Sequence, residues 1–190
     1  MEKYPIYEVH NFKCDSIHDD LYVNTLAEHL KNHAFVEEPH RHNSYLLLFF
    51  TDGTGTHEVD FDRYAIEPGS LFVLQPGQLH HWDLSADTDG FVVIYTAELY
   101  HLYFGNKSLS DYPFYESPYS KPEIILDTAQ MQSVLPFFEL MIAASTQKQR
   151  DKILNLLDCI HLEISGYTQP SSHHTHAYNA KIKQFESMLE

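Results

Sequence analysis

Between Asn43 and Thr96 the chain alternates short apolar runs with strong turn signals so densely that few folds can accommodate it. Tyr45-Leu46-Leu47-Leu48-Phe49-Phe50 stops at Asp52-Gly53-Thr54-Gly55, where glycine supplies backbone conformations that side chains resist. Thr56-His57-Glu58-Val59-Asp60-Phe61 alternates polar and apolar residues, as a half-buried strand does. Asp62-Arg63 reads as a connector before Tyr64-Ala65-Ile66 and the turn Glu67-Pro68-Gly69. Ser70-Leu71-Phe72-Val73-Leu74 then ends at Gln75-Pro76-Gly77, and His80-His81-Trp82-Asp83-Leu84 and Phe91-Val92-Val93-Ile94-Tyr95 complete the set. Short strands punctuated roughly every eight to twelve residues build a sandwich, jelly roll or barrel. A parallel βα fold needs helical stretches between its strands, and this segment has none.

The flanks read differently. Before this segment, Leu21-Tyr22-Val23-Asn24-Thr25-Leu26 is rich in β-branched and aromatic residues and predicts one more strand. After Leu126 the period lengthens: Asp127-Thr128 offers a cap, and Met131, Val134, Leu135, Phe138 and Ile142 recur at helical steps over 129–146. Pro136 falls inside that pattern and predicts a kink or a later helix start. Over 150–165, Ile153, Leu156, Leu157, Ile160 and Ile164 form one broad apolar stripe. Helices joined by so short a connection pack antiparallel. Gly166 to Thr175 reads as a loop, and a third helical pattern opening at Tyr178 still runs at the last residue, which suggests a chain cut within a helix. The expected organisation is a β domain over 1–126, a helix pair over 127–168, and a linker with the start of a further helix over 169–190.

Charge and cysteine content exclude several functions. With 12 Lys plus Arg against 27 Asp plus Glu, the net charge is −15. Affinity for DNA rests on cations that neutralise phosphates, so this polypeptide is not expected to bind DNA by itself. Two cysteines far apart, Cys14 and Cys159, support neither a disulfide framework nor a structural zinc site. No apolar run is long enough for a membrane span, and the N-terminus lacks a signal-peptide pattern. The expectation is a soluble, cytoplasmic protein. No nucleophile elbow or phosphate-binding glycine loop occurs, so catalysis is not indicated. His173-His174-x-His176 sits in a serine-rich stretch and reads as solvated linker.

Two histidine-bearing segments carry the remaining signal. In Pro39-His40-Arg41-His42 the histidines are two apart, so on a strand both project from one face. In Gly69 to His80 a glycine opens a strand, a Pro-Gly turn ends it, and a histidine begins the next. Together they resemble the two motifs of the cupin superfamily, in which paired histidines, a glutamate and a later histidine hold one metal. Carried across, His40, His42 and His80 match the imidazole positions, while the glutamate position falls on Leu46 or Leu47. Three histidines and water can still hold zinc or iron. The missing carboxylate nevertheless favours histidines kept as hydrogen-bonding groups, so no metal and no cofactor is expected.

The order of these pieces narrows the resemblance. Pro39-His40-Arg41-His42-Asn43-Ser44-Tyr45, then Gly53-Thr54-Gly55-Thr56-His57, then Pro76-Gly77-Gln78-Leu79-His80-His81-Trp82, with two helices after them, is similar to the sensor domain of AraC-family transcription regulators. The resemblance implies a mainly β fold, a cupin-like jelly-roll β-barrel, followed by an antiparallel helix pair. It implies a small-molecule effector bound in the barrel, a homodimer formed through the helices, and DNA contacted only through a helix-turn-helix domain absent from this chain. Ligand-binding candidates are His40, His42, Tyr45, His80, Trp82 and Tyr95, and the dimer candidates are Ile153, Leu157, Ile160 and Ile164. Each aromatic could equally be a core residue. Two alternatives stay open: a stand-alone cupin enzyme, such as a metal-dependent dioxygenase or isomerase, and a small-molecule-binding protein with no role in transcription.

Overall fold

The computed structural model describes residues 4–12, 19–33, 38–117 and 120–168. The strands are β1 (Ile6–Tyr7), β2 (Leu21–Thr25), β3 (His40–His42), β4 (Tyr45–Asp52), β5 (Gly55–Val59), β6 (Asp62–Ile66), β7 (Ser70–Leu74), β8 (Leu79–Leu84), β9 (Asp89–Tyr95) and β10 (Glu123–Ile125). They form two five-stranded sheets, ordered β1-β3-β8-β5-β6 and β10-β7-β4-β9-β2. All pairings are antiparallel except β1 with β3. The expected barrel is thus a cupin-like pair of sheets, not closed by strand pairing among the described residues.

The second sheet is apolar on both faces because it is covered on both. Leu46, Leu48, Phe50, Phe72, Leu74, Val92 and Ile94 point between the sheets and meet Val59, Ile66 and Trp82 from the first sheet. Their alternate neighbours Leu47, Phe49, Leu71, Val73, Val93 and Tyr95 point the other way, into a separate core shared with the helices. The molecule is therefore layered as sheet, sheet and helices, with two cores.

Turn chemistry closes the strands where expected. Gly53 has φ +83°, and a Cβ there would come within 2.4 Å of Thr88. Asp60, at φ +56°, ends β5 two residues earlier than the alternating pattern implied and turns Phe61 out to 98% exposure. The Asp60 carboxylate holds this corner by accepting from Leu79 N and Gln78 Nε2, each at 3.0 Å. Asp62-Arg63, expected as a connector, instead begins β6.

Four helices follow from local signals. Helices α1 (Leu26–Asn32) and α2 (Ala97–Phe104), neither expected from the apolar pattern, are each capped by a threonine hydroxyl, from Thr25 and Thr96. Helix α3 (Thr128–Thr146) opens with a capping box, Asp127 with Gln130, and runs through Pro136 without ending. Helix α4 (Arg150–Ser165) follows the Gln147–Gln149 turn, so the pair packs antiparallel as predicted. Ile153, Leu157, Ile160 and Ile164 are each 0% exposed within the helix-side core. Within one chain these residues, expected at a dimer interface, face α3 and the second sheet. The outward positions of α4 are instead Asp151, Lys152, Asn155, Cys159 and Leu162. No helix among the described residues is long and apolar enough to cross a membrane. The segment 169–190, Cys14 and the His173–His176 cluster lie outside the described residues.

Candidate functional site

The inner face of the first sheet is lined with imidazoles. Strand alternation turns His40 and His42 on β3, His57 on β5, and His80 and Trp82 on β8 towards the core between the sheets. Register brings them together: His40 lies opposite His80, and His57 opposite Trp82. All four histidines are buried, between 0% and 5% exposed, and Trp82 is 7% exposed.

His40, His42 and His80 each offer a ring nitrogen, and these nitrogens lie within 4.8 Å of one another. His40 Nε2 and His42 Nε2 are 3.1 Å apart. The edge of a tetrahedral site with zinc–nitrogen bonds of ordinary length is about 3.3 Å, so the pair already stands at a chelating separation. His40 Nδ1 sits 2.7 Å from the Glu38 carbonyl, which can only accept, so it carries the proton and leaves Nε2 bare towards its neighbours. His80 Nδ1 lies 3.0 Å from His57 Nε2.

Two further histidines stand behind this group. On α1, His29 Nδ1 meets the Tyr22 hydroxyl at 2.9 Å, and His33 Nδ1 lies 3.0 Å from the His29 carbonyl. The Phe12 ring packs against His29, His33 and His42 at 5.3, 5.1 and 5.8 Å. Tyr7 closes the β1 side, 5.2 Å from His40.

Electrostatics keep the cluster neutral. Burial pushes His29 and His57 down to about 3, with nearby histidines adding to the effect. Burial likewise holds His40 below the usual range and His42 and His80 well below it. Neutral imidazoles present lone pairs, which suits a metal or a ligand donor and not an anion. Several polar atoms here have no partner among the described residues: His42 Nδ1, His57 Nδ1, His80 Nε2 and the Trp82 indole N–H. Buried polar atoms are seldom left so. The residues therefore fit a divalent transition ion, with His40, His42 and His80 as its ligands. Leucines stand at the glutamate position of the cupin pattern, and among the described residues no carboxylate joins the three imidazoles. Leu46 points into this core, Leu47 lies in the helix-side core, and both are buried.

Tyr45 and Tyr95, expected with the histidines, lie on the other face of their sheet. Their rings stack at 5.6 Å in the helix-side core, so the six ligand candidates divide into His40, His42, His80 and Trp82 on one side and the two tyrosines on the other. Nothing in Tyr45–Phe50 could have foretold this, because both faces of that strand are apolar. Tyr95 belongs to a different polar group. Its hydroxyl is 2.9 Å from Tyr115 Oη and 3.1 Å from His161 Nε2. Nearby, the Tyr100 and Tyr112 hydroxyls donate to Asp158 Oδ1 at 2.8 and 2.5 Å, and Lys107 pairs with Oδ2. Burial works against the charged form of Asp158, but hydrogen bonds from Lys107, Tyr112 and Tyr100 outweigh it and hold the carboxyl below its usual range.

The sequence matches the profile of the AraC-like ligand binding domain over residues 21–183. The chain belongs to this family. The structure is similar to that of the AraC-like transcriptional activator CuxR, at 12% identity over 81% of this chain and 51% of that one, with a TM-score of 0.43. A cupin barrel protein from Leptotrichia buccalis is 18% identical over 40% of this chain and 36% of its own, TM-score 0.29. By sequence, 55 residues are 33% identical to 5-nitrosalicylic acid 1,2-dioxygenase from Bradyrhizobium sp, covering 29% of this chain and only 27% of that protein.

His57 is the residue of this AraC-like domain that sequence reasoning overlooked. Its signal was available: it lies in the Gly-Thr-Gly-Thr-His segment, and alternation along β5 puts it on the same face as Val59. Its pairing with β8 was not available, because register across strands distant in sequence follows from tertiary packing.

Proposed function

We propose that this chain is the effector-sensing part of an AraC-type transcription regulator, which binds a small molecule between its two sheets beside His40, His42, His80 and Trp82. The observation that carries this reading is the group of unpartnered nitrogens buried there, on His42, His80 and Trp82. An effector that accepts from the indole N–H and donates to, or coordinates, the imidazoles would satisfy them together. The site performs no chemistry of its own, and its output is a change in how the helices present themselves. DNA contact belongs to a helix-turn-helix domain outside this acidic chain, and the place of action is the cytoplasm. Dimerisation with a second copy would use the outward side of α4, where Cys159 and Leu162 are exposed, and not the buried stripe.

Trp82 is the chain's single tryptophan, so its emission reports the site directly. Titration with phenolic acids, sugars and other small polar molecules should find one that shifts Trp82 emission and raises the melting temperature. His80→Ala should abolish both effects. Solution mass with Leu162→Glu beside wild type tests the dimer, and a wild type already monomeric at micromolar concentration removes it.

A second reading, a metal-dependent dioxygenase or isomerase, is favoured by the convergence of three imidazoles and by the short similarity to 5-nitrosalicylic acid 1,2-dioxygenase. Stoichiometric iron or manganese in purified protein, together with dioxygen uptake on adding a salicylate or catechol, would replace the sensor reading with this one.

A further inference from the structure

His57 is not one of the three converging imidazoles, yet it touches one of them. Its Nε2 lies 3.0 Å from His80 Nδ1, with both rings fully buried. Only one proton fits between two ring nitrogens, so the pair has two arrangements. In the first, His80 Nδ1 donates to His57 and His80 Nε2 is a bare lone pair. In the second, His57 donates and His80 Nε2 carries a proton. Without an occupant the two are balanced. Each leaves one N–H and one lone pair unmatched, because His80 Nε2 and His57 Nδ1 both lack partners among the described residues.

A cation at the three-imidazole centre breaks the tie, since only a bare nitrogen can coordinate it. Ligating histidines usually donate their other ring N–H to an acceptor that fixes tautomer and orientation. For His40 that acceptor is the Glu38 carbonyl. For His80 it is His57, whose ring is itself held by Phe72 at 4.4 Å and Trp82 at 5.8 Å. We propose that His57 is a positioning residue for a divalent transition metal held by His40, His42 and His80: it accepts a hydrogen bond from the His80 Nδ1–H, which keeps the proton there and leaves His80 Nε2 free to bind. This rests on the three-imidazole reading of the site. A buried neutral imidazole thereby holds in place a metal centre that lacks the carboxylate expected at Leu46 or Leu47.

The test uses chelator-treated protein titrated with Co(II), read by visible absorption and by quenching of Trp82. Wild type should bind one ion. His57→Phe, which keeps a ring but removes the acceptor, should weaken binding by about 10- to 100-fold. His57→Gln, whose side-chain carbonyl can accept from His80, should restore it to within a few-fold. With Zn(II), the ring-nitrogen NMR signals of wild type should show His80 bound through Nε2 with its proton on Nδ1. This readout does not depend on any variant folding. If wild type binds one ion and His57→Phe binds it equally well, or if His80 coordinates through Nδ1, the role of His57 is overturned while the site stands. If wild type binds neither ion, the three-imidazole reading falls with it.

Discussion

Two groups of buried polar rings lie back to back across β4 and β9, and they differ in what they leave unpaired. On the helix side, the hydroxyls of Tyr95, Tyr100, Tyr112 and Tyr115 all have partners, Asp158 collects two of them, and in this group only His161 Nδ1 lacks a partner among the described residues. Between the sheets, His42, His57, His80 and Trp82 each keep one nitrogen without a partner among the described residues. An unsatisfied buried polar atom costs about 1–3 kcal/mol. A nearly closed network therefore behaves as structure, tying α2 and the 109–115 segment to α4. An open one holds free energy that a ligand can release. This difference is what supports the proposed binding site in the sheet interior, although both groups are comparably rich in aromatic and titratable side chains.

The largest effect should come from acid. His29, His57 and His161 are held down to about 3 in the fold against 6.5 in the unfolded chain, chiefly by burial. Above pH 6.5 both states are neutral and these residues do not affect stability. Below it the unfolded chain takes up protons that the fold refuses. Stability should therefore fall as pH drops from 6.5 towards 3, by up to about 1.4 kcal/mol per pH unit for each histidine. Urea denaturation at several pH values checks this. His161→Phe should remove about one proton from the slope, whereas a ligand bound to the interior cluster, whose histidines are already neutral, should raise stability and leave the slope unchanged. A slope unchanged by His161→Phe would mean that the helix-side network is open to water.

Breaking the closed network comes next. Asp158→Ala leaves two buried tyrosine hydroxyls and Lys107 without their acceptor. Lys107 is 43% exposed and regains water, so the loss falls mainly on the hydroxyls. We expect destabilisation of about 3 kcal/mol by chemical denaturation. Tyr95→Phe removes one hydroxyl from the same network and should cost about 1 kcal/mol. If either variant is neutral, the network is not the brace that its geometry implies.

Much of this contrast was legible in the sequence, but its division in space was not. The dense turn signals predicted a sandwich, jelly roll or barrel, the lengthened period after Leu126 predicted both long helices, and the spacing of His40 and His42 put both on one face. What failed was the assignment of faces. Tyr45-Leu46-Leu47-Leu48-Phe49-Phe50 is apolar throughout because layers cover both its sides, so alternation could not say which residues line the site. Similarly, the wide stripe on α4 could be read as an interface until α3 and the sheet were seen to bury all four of its expected contacts. Helices α1 and α2, of seven and eight residues, are too short for periodicity to reveal, and their threonine caps were the only signal.

The smallest effect on stability should come from the site itself, and it separates the two clusters most sharply. His42→Phe keeps a ring of similar size against Phe12 and Tyr7 and removes the unpartnered Nδ1. It also takes away the nitrogen 3.1 Å from His40 Nε2, so one unsatisfied atom disappears and another is created. The two changes should cancel to within about 1 kcal/mol. Ligand or metal binding, by contrast, should be lost, because one of three converging donors is gone. Denaturation and Trp82 titration on the same sample measure both quantities. A loss of about 3 kcal/mol, matching Asp158→Ala, would show that the histidines brace the sheets as the tyrosines brace the helices. Retained stability with lost binding is the pattern of a cluster whose polarity serves a ligand.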